Sequence, residues 1–179
     1  YMDKNGDTIV EPIYDDVGYF HNGLAIVIKD GLGGVIGKDG TEILPPEYVG
    51  VRTLGSCILA QKGDRLFFYD TDGNEISSAP GNQASRGDGI YYISIDNKIG
   101  FADEDGRIIL EPVYEGISPI PARKLVMVQN EEGEYGILDY EGNIVVPFCY
   151  YTNVSSFVGD RAVVELDEKY GVLRYDGTL

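Results

Sequence analysis

The sequence predicts an all-β protein made of tandem repeats of about 34 residues, each an antiparallel three-stranded meander. Three observations carry this. An acidic or amide residue followed by glycine recurs at Asn5-Gly6, Asp39-Gly40, Asp72-Gly73, Asp105-Gly106, Glu141-Gly142 and Asp176-Gly177, with successive glycines 34, 33, 33, 36 and 35 residues apart. The apolar runs between these pairs are three to five residues long and rich in Val and Ile, as strands are. With 24 Gly and 8 Pro in 179 residues, no segment keeps apolar residues at i, i+3, i+4 and i+7 for three turns, which argues against helical hairpins of the same period.

The elements of a period follow in a fixed order. The first strand is an apolar run such as Leu24–Ile28, matched by Cys57–Ala60, Leu125–Val128 and Ala162–Val164. A polar turn at Lys29-Asp30-Gly31, with equivalents at Asn97-Lys98, Glu131–Glu134 and Asp167–Lys169, leads to the second strand, Gly34–Lys38. Six residues before the turn glycine stands Gly34, Gly100, Gly136 or Gly171, with Phe67 as the exception. Three before it stands Asp3, Asp70, Asp103 or Asp139, and such a side chain can accept the N–H groups of its own turn. The Asp-Gly pair tolerates positive φ and makes the tight turn into the third strand, Thr41–Leu44. Proline follows at Pro12, Pro46, Pro112 or Pro147, and a loop of about a dozen residues leads onward. Val17 and Phe20, Val51 and Leu54, and Ile117 and Ile120 in these loops are expected to plug the gaps between units. The third period loses its tyrosine and apolar loop residues, and residues 77–89 are expected to be a degenerate, flexible loop.

Residues 1–179 therefore read as a single repeat array turning at Gly6, Gly40, Gly73, Gly106, Gly142 and Gly177. An open or spiralling array is the expected form, because three strands per unit is fewer than the four of a usual propeller blade; a five-bladed β-propeller is the alternative. The terminal units look unlike caps. The natural protein is thus expected to continue beyond one or both ends, or the ends to pair with each other or with a second chain.

With 14 basic and 30 acidic residues the net charge is −16, which repels nucleic-acid phosphates and anionic lipid. No apolar run approaches the length of a membrane-spanning helix. Cys57 and Cys149 are too far apart for a metal-binding pair, and each sits among apolar or aromatic neighbours, so buried thiols are expected.

The pattern resembles the bacterial WG-repeat family, also called KWG repeats, whose unit reads approximately G-K-W-G-Y-I-D-x-x-G-x-x-V-I-P-P-x-Y-D. Glu134-Tyr135-Gly136-Ile137-Leu138-Asp139-Tyr140-Glu141-Gly142-Asn143-Ile144-Val145-Val146-Pro147 and Lys98-Ile99-Gly100-Phe101-Ala102-Asp103-Glu104-Asp105-Gly106 carry its first half. Glu11-Pro12-Ile13-Tyr14-Asp15 and Glu111-Pro112-Val113-Tyr114-Glu115 carry its second. The chain has no tryptophan; that position holds Gly33, Leu66, Ile99, Tyr135 and Tyr170. The resemblance implies a β-rich repeat module, often at the cell surface or secreted, and implies no reaction.

No catalytic, cofactor or metal site emerges from the residues. His21 is the single histidine, Ser155-Ser156 is an adjacent serine pair, and no nucleophile motif accompanies them. The carboxylate pairs Asp15-Asp16, Asp103-Glu104-Asp105 and Glu131-Glu132 are what an acidic chain produces, although two of them facing one cleft would suit a glycosidase-like hydrolase. Asp70-Thr71-Asp72-Gly73-Asn74 opens like a calcium loop but lacks the late ligands. Arg86-Gly87-Asp88 is an adhesion-type tripeptide too short to weigh. Tyr14, Tyr48, Tyr114 and Tyr150 recur eight residues after the turn glycine; they are the candidate binding anchors, with packing between units as the more ordinary role. The expected function is a non-enzymatic binding or scaffold module for a protein or glycan, with the carboxylate hydrolase as the alternative.

Overall fold

A computed structural model of the chain describes residues 5, 6, 8–87, 90–149, 151, 153–155, 157–176 and 178. Among these, the regular structure is β-strand apart from one 3-10 turn, Pro121–Arg123. The first sheet holds β1 (Asp16–Val17), β2 (Leu24–Lys29), β3 (Leu32–Gly37) and β4 (Glu42–Tyr48). The second holds β5 (Gly50–Thr53), β6 (Ile58–Lys62), β7 (Arg65–Tyr69) and β8 (Glu75–Pro80). The third holds β9 (Gln83–Gly87), β10 (Ile90–Ile95), β11 (Lys98–Ala102) and β12 (Ile108–Tyr114). The fourth holds β13 (Gly116–Ile120), β14 (Leu125–Gln129), β15 (Tyr135–Asp139) and β16 (Ile144–Cys149), and the fifth β17 (Asn153–Val154), β18 (Arg161–Leu166) and β19 (Lys169–Arg174). Each is a meander whose strands pair in chain order.

In the first four sheets the three expected strands of a period are present, in the fifth only the first two are among the described residues, and in all five the connection between periods supplies one more. Part of the proline-led loop straightens into β1, β5, β9, β13 or β17 and pairs with the strand that follows. Val51 and Ile117, expected as loop plugs, do pack against cores, but from these strands. Residues 77–89 correct the expectation of a flexible loop. Ser77 and Ser78 pair with Phe68 and Phe67 in β7, and Gln83–Gly87 pairs along β10 from Ser94 to Ile90. Strand pairing needs backbone groups rather than bulky side chains, so a Ser-, Ala- and Gly-rich stretch suffices where neighbours supply the apolar surface. Asp88 and Gly89 lie outside the described residues.

The hairpin turns follow from their residues. Asp96 and Asn97 both take positive φ (50° and 64°), as do Asp167 and Glu168 (50° and 59°) and Asp30 and Gly31 (53° and 77°). Two positive-φ residues in a two-residue loop give the turn whose twist matches paired strands. At the second kind of turn, Asp70 Oδ1 accepts the N–H groups of Asp72 (2.9 Å) and Asn74 (2.8 Å). Asp139 Oδ1 does the same for Glu141 (3.0 Å) and Asn143 (2.8 Å). Asp39 and Asp176 accept from Thr41 and Thr178. These bonds hold all four carboxyls below the usual carboxylate range, those from Asn74, Thr41, Asn143 and Thr178 most strongly. The recurring aspartate is thus a turn-forming device.

Gly73 turns with φ of 88°, and a Cβ there would stand 2.5 Å from the Ile43 carbonyl of the preceding sheet. The turn glycine therefore serves both the positive φ and a close approach. A second glycine lies under the outer strand. A Cβ on Gly34 would stand 2.7 Å from Leu44 O and 2.8 Å from Pro46 N, because the β3–β4 register shifts between Gly33 and Val35 and the Pro45-Pro46 bulge closes over the strand. Gly100 meets Leu110 O and Pro112 N in the same way. The second sheet lacks that proline, its register runs regularly past Phe67, and there the glycine is replaced.

The chain forms two compact units, one comprising the residues to Asn82 with Glu104–Ile108, the other Gln83–Asp103 with the residues from Ile109. In the first, Leu24, Val35, Leu44 and Tyr48 meet Ile58 and Ala60, while Ala25, Val27 and Ile36 pack with Val10, Tyr14 and Phe20. The segment Glu104–Ile108 is held there by Phe68 against Gly106 and by bonds from Ser56 to Glu104 O and Ser77 to Gly106 O. In the second, Ile90, Phe101 and Leu110 meet Val126, Val128 and Leu138; Leu125, Met127, Ile137 and Val146 meet Tyr151, Val164 and Leu173. Alternate residues of β14 and β15 thus face different cores, and both faces of these two strands are largely buried.

Gly34→Ala should lower stability by about 2 kcal/mol, since backbone rather than a flexible side chain occupies the space. Gly50→Ala, whose new Cβ would meet Gln61 at an ordinary 3.8 Å, should change it by less than about 0.5 kcal/mol; urea-unfolding midpoints measure both. The depressed Asp139 carboxyl contributes stability that is fully present above the unfolded carboxylate pKa and lost as pH falls through the lower folded value. Asp139→Ala should therefore lower the melting temperature at neutral pH, and the gap from the unsubstituted chain should close as melting is repeated at increasingly acidic pH.

Candidate functional site

Strand register places three residues of every sheet in one row, taken from the first, second and third strands. The rows are Asp16–Ile28–Gly33, Gly50–Gln61–Leu66, Gln83–Ser94–Ile99, Gly116–Gln129–Tyr135 and Asn153–Glu165–Tyr170. The third member stands at the position that the repeat motif reserves for tryptophan. Two-residue turns fix the register on one side of the row in four sheets. In the second and fourth sheets the glutamine also ties the row to its hairpin: Gln61 Nε2 donates to Gly63 O (3.2 Å) and Gln129 Nε2 to Gly133 O (3.3 Å).

In the second unit these rows border open depressions. One of about 300 Å³ is lined by Gln83, Ser85, Tyr92, Ser94 and Ile99. Another of about 270 Å³ is lined by Gly116, Ser118, Met127, Gln129, Tyr135 and Val154. A smaller one of about 50 Å³ has Asn153, Ser155, Glu165 and Tyr170. Hydroxyl and amide groups alternate with tyrosine and aliphatic surface, and Glu165 is the single carboxylate among these lining residues. Beside Ile99, Lys98 Nζ lies 2.9 Å from Glu115 and 2.7 Å from Glu131. The bonds raise the lysine pKa, Glu115 contributing most, and Lys98 in turn lowers that of Glu131.

The recurrent tyrosines lie elsewhere. Tyr48 is only 4% exposed, and its hydroxyl lies 2.9 Å from that of Tyr69 in an edge-on aromatic pair. Burial and then this bond raise its pKa. A ring enclosed in this way is a packing residue, which corrects its choice as a surface anchor. Tyr14 and Tyr114 are half-buried against the cores next to Ala25 and Phe101, and burial raises both pKa values. Tyr150 lies outside the described residues.

The other candidates resolve into local structural roles. His21 is exposed and exchanges backbone bonds with Leu24 across its own turn. Ser155 Oγ accepts the Val163 N–H at 2.9 Å, and Ser156 lies outside the described residues. Asp15 Oδ2 accepts the Asp30 N–H, and Asp16 Oδ1 accepts that of Val17. Arg86 and Gly87 belong to β9, while Asp88 of the same tripeptide is outside the described residues. Cys57 is buried, Cys149 is half-buried, and both are free thiols. No helix among the described residues is long and apolar enough to cross a membrane.

Sequence reasoning passed over the row residues. The signal was the variable position itself: Gly, Leu, Ile, Tyr and Tyr where the motif has Trp. Leu66 is buried in the second sheet, whereas Ile99 and Tyr135 at the same position are half-buried beside open depressions.

Among solved structures, the chain is similar to Hsv2 of Kluyveromyces lactis (12% identity, TM-score 0.41), covering 92% of this chain and 63% of that one. It is also similar to BamB from Moraxella catarrhalis (16%, TM-score 0.38; 89% and 60%). A third is PorZ, an essential bacterial surface component of the type-IX secretion system of Porphyromonas gingivalis (16%, TM-score 0.39; 84% and 24%). The chain thus spans less than two thirds of each. No curated protein matches it. The family model described as WG containing repeat matches residues 1–32, 99–132 and 135–170, more than half of the sequence. With its turn glycines, bulge prolines and strand register accounted for, the chain belongs to the WG-containing repeat family.

Proposed function

We propose that this chain is a non-enzymatic binding module that holds a neutral or cationic stretch of protein or glycan along the rows of the third and fourth sheets. The carrying observation is the repetition of one cross-strand row with a changing third residue, Ile99 in one sheet and Tyr135 in the next. A fixed backbone frame with varying, half-buried side chains beside open depressions suits recognition over an extended surface. Tyrosine offers an apolar body with a polar tip, and Gln83, Ser94 and Gln129 supply neutral hydrogen-bonding groups. The charge of −16 favours ligands that are not anionic.

The hydrolase alternative needs two carboxyls facing one cleft, one with a raised pKa. Among the described residues, the carboxyls that shift, Asp39, Asp70, Glu131, Asp139 and Asp176, all shift downward. The depressions of the third and fourth sheets are open and have no carboxylate among their lining residues, which supports binding over turnover.

The test is a screen of the chain against peptide and glycan arrays, followed by titration of each hit. Tyr135→Ala and Ile99→Ala should each weaken binding about 10-fold or more with the circular dichroism spectrum unchanged. Tyr48→Phe, which alters a packed hydroxyl, should leave affinity unchanged. Hits indifferent to both row substitutions, or release of product from a glycan hit, would overturn the proposal.

A further inference from the structure

The fifth sheet differs from the fourth in what its faces meet. Ala162, Val164 and Leu173 are buried, and the last two share a core with Met127 and Ile137 of the fourth sheet. The opposite face of β18 and β19 presents Val163 and Val172 at 49% and 46% exposure and Tyr170 at 73%. In the fourth sheet, Met127 and Ile137, which hold the same place, are covered by the fifth. The open face therefore continues the kind of surface that this repeat uses for sheet-on-sheet packing.

Register orders this face along the strands. Arg161 pairs with Arg174 at one end, Val163 with Val172 in the middle, and Glu165 with Tyr170 at the other end. Two arginines directly opposite each other repel. Each has an acidic neighbour nearby, Asp160 at 3.4 Å from Arg161 Nε and Asp176 near Arg174, but both arginines remain exposed. A basic end, an apolar centre and an acidic-aromatic end are complementary to the same surface turned through a half-turn.

We infer that this face is an isologous interface between two copies of the chain, with a two-fold axis through the Val163–Val172 pair. That rotation lays Arg161 and Arg174 of each copy over Glu165 and Tyr170 of the other, while the apolar pairs meet at the centre. Arginine over a tyrosine ring is already present in this unit, with Arg123 4.8 Å from the centre of Tyr175. The unrotated overlay sets arginine on arginine and is disfavoured. Opposite charges meeting at both ends offset the repulsion that a net charge of −16 imposes between copies.

Sedimentation velocity of the full 179-residue chain over a range of concentrations tests this. A species of twice the chain mass is expected, and V163E should abolish it without changing the circular dichroism spectrum. R161E/R174E alone sets acid on acid, and E165R alone sets base on base, so each should sediment as a monomer. Mixing the two variants should restore the dimer, because both ends of the interface are then complementary. A monomer at every concentration, a dimer that survives V163E, or a mixture that stays monomeric would each overturn the inference. Tyr135→Ala should leave the mass unchanged, which separates this interface from ligand binding at the rows.

Discussion

The close approach of the outer strand to the glycine beneath it sets the geometry of the first and third sheets. Pro45-Pro46 can bulge over β3 because Gly34 has no side chain, and Leu110–Pro112 can do so over β11 because Gly100 has none. The bulge changes register between the third and fourth strands, so residues on either side of it point correctly into cores on different faces. In the fourth sheet the aromatic ring of Phe148 takes the space over Gly136. The second sheet supplies the contrast, since loss of the bulge proline and presence of Phe67 occur together. The two features form one steric unit separated by ten residues or more of chain.

The turns give this frame its spacing. Carboxylates such as Asp70 and Asp139 accept the amides of a tight loop, and glycine at its tip touches the neighbouring sheet where that contact is made. Acidity in this chain is therefore partly architectural. It also leaves a surface on which cations are scarce, and Lys98 is held between two glutamates.

Much of this was legible in the sequence, because the features that recur are those that build the repeat. The period, the turn aspartate, the all-β class and the three principal strands follow from residues that return in phase. The extra strand was not legible, since Gly50–Thr53 and Gln83–Gly87 carry no strong strand signal and are held by backbone pairing to a partner. The same logic misdirected the search for a binding surface. Tyr48 recurs because its ring fills a core, whereas the candidate row changes between Ile99 and Tyr135 because its third residue borders open surface. Variation at constant phase does not by itself mark open surface, since Val35, Phe68, Phe101 and Ile137 share one phase and are all buried.

The division of one strand between two cores has a consequence for how such chains change over generations. Along β14, Val126 and Val128 serve one core while Leu125 and Met127 serve another. Two interleaved texts are written on one line, and the strand is read in a frame of two. Losing or gaining a single residue there exchanges the texts and corrupts both at once. Duplicating or deleting a whole period leaves the frame intact. Drift in length should therefore proceed by entire repeats or within connections, while the strands themselves diversify by substitution alone.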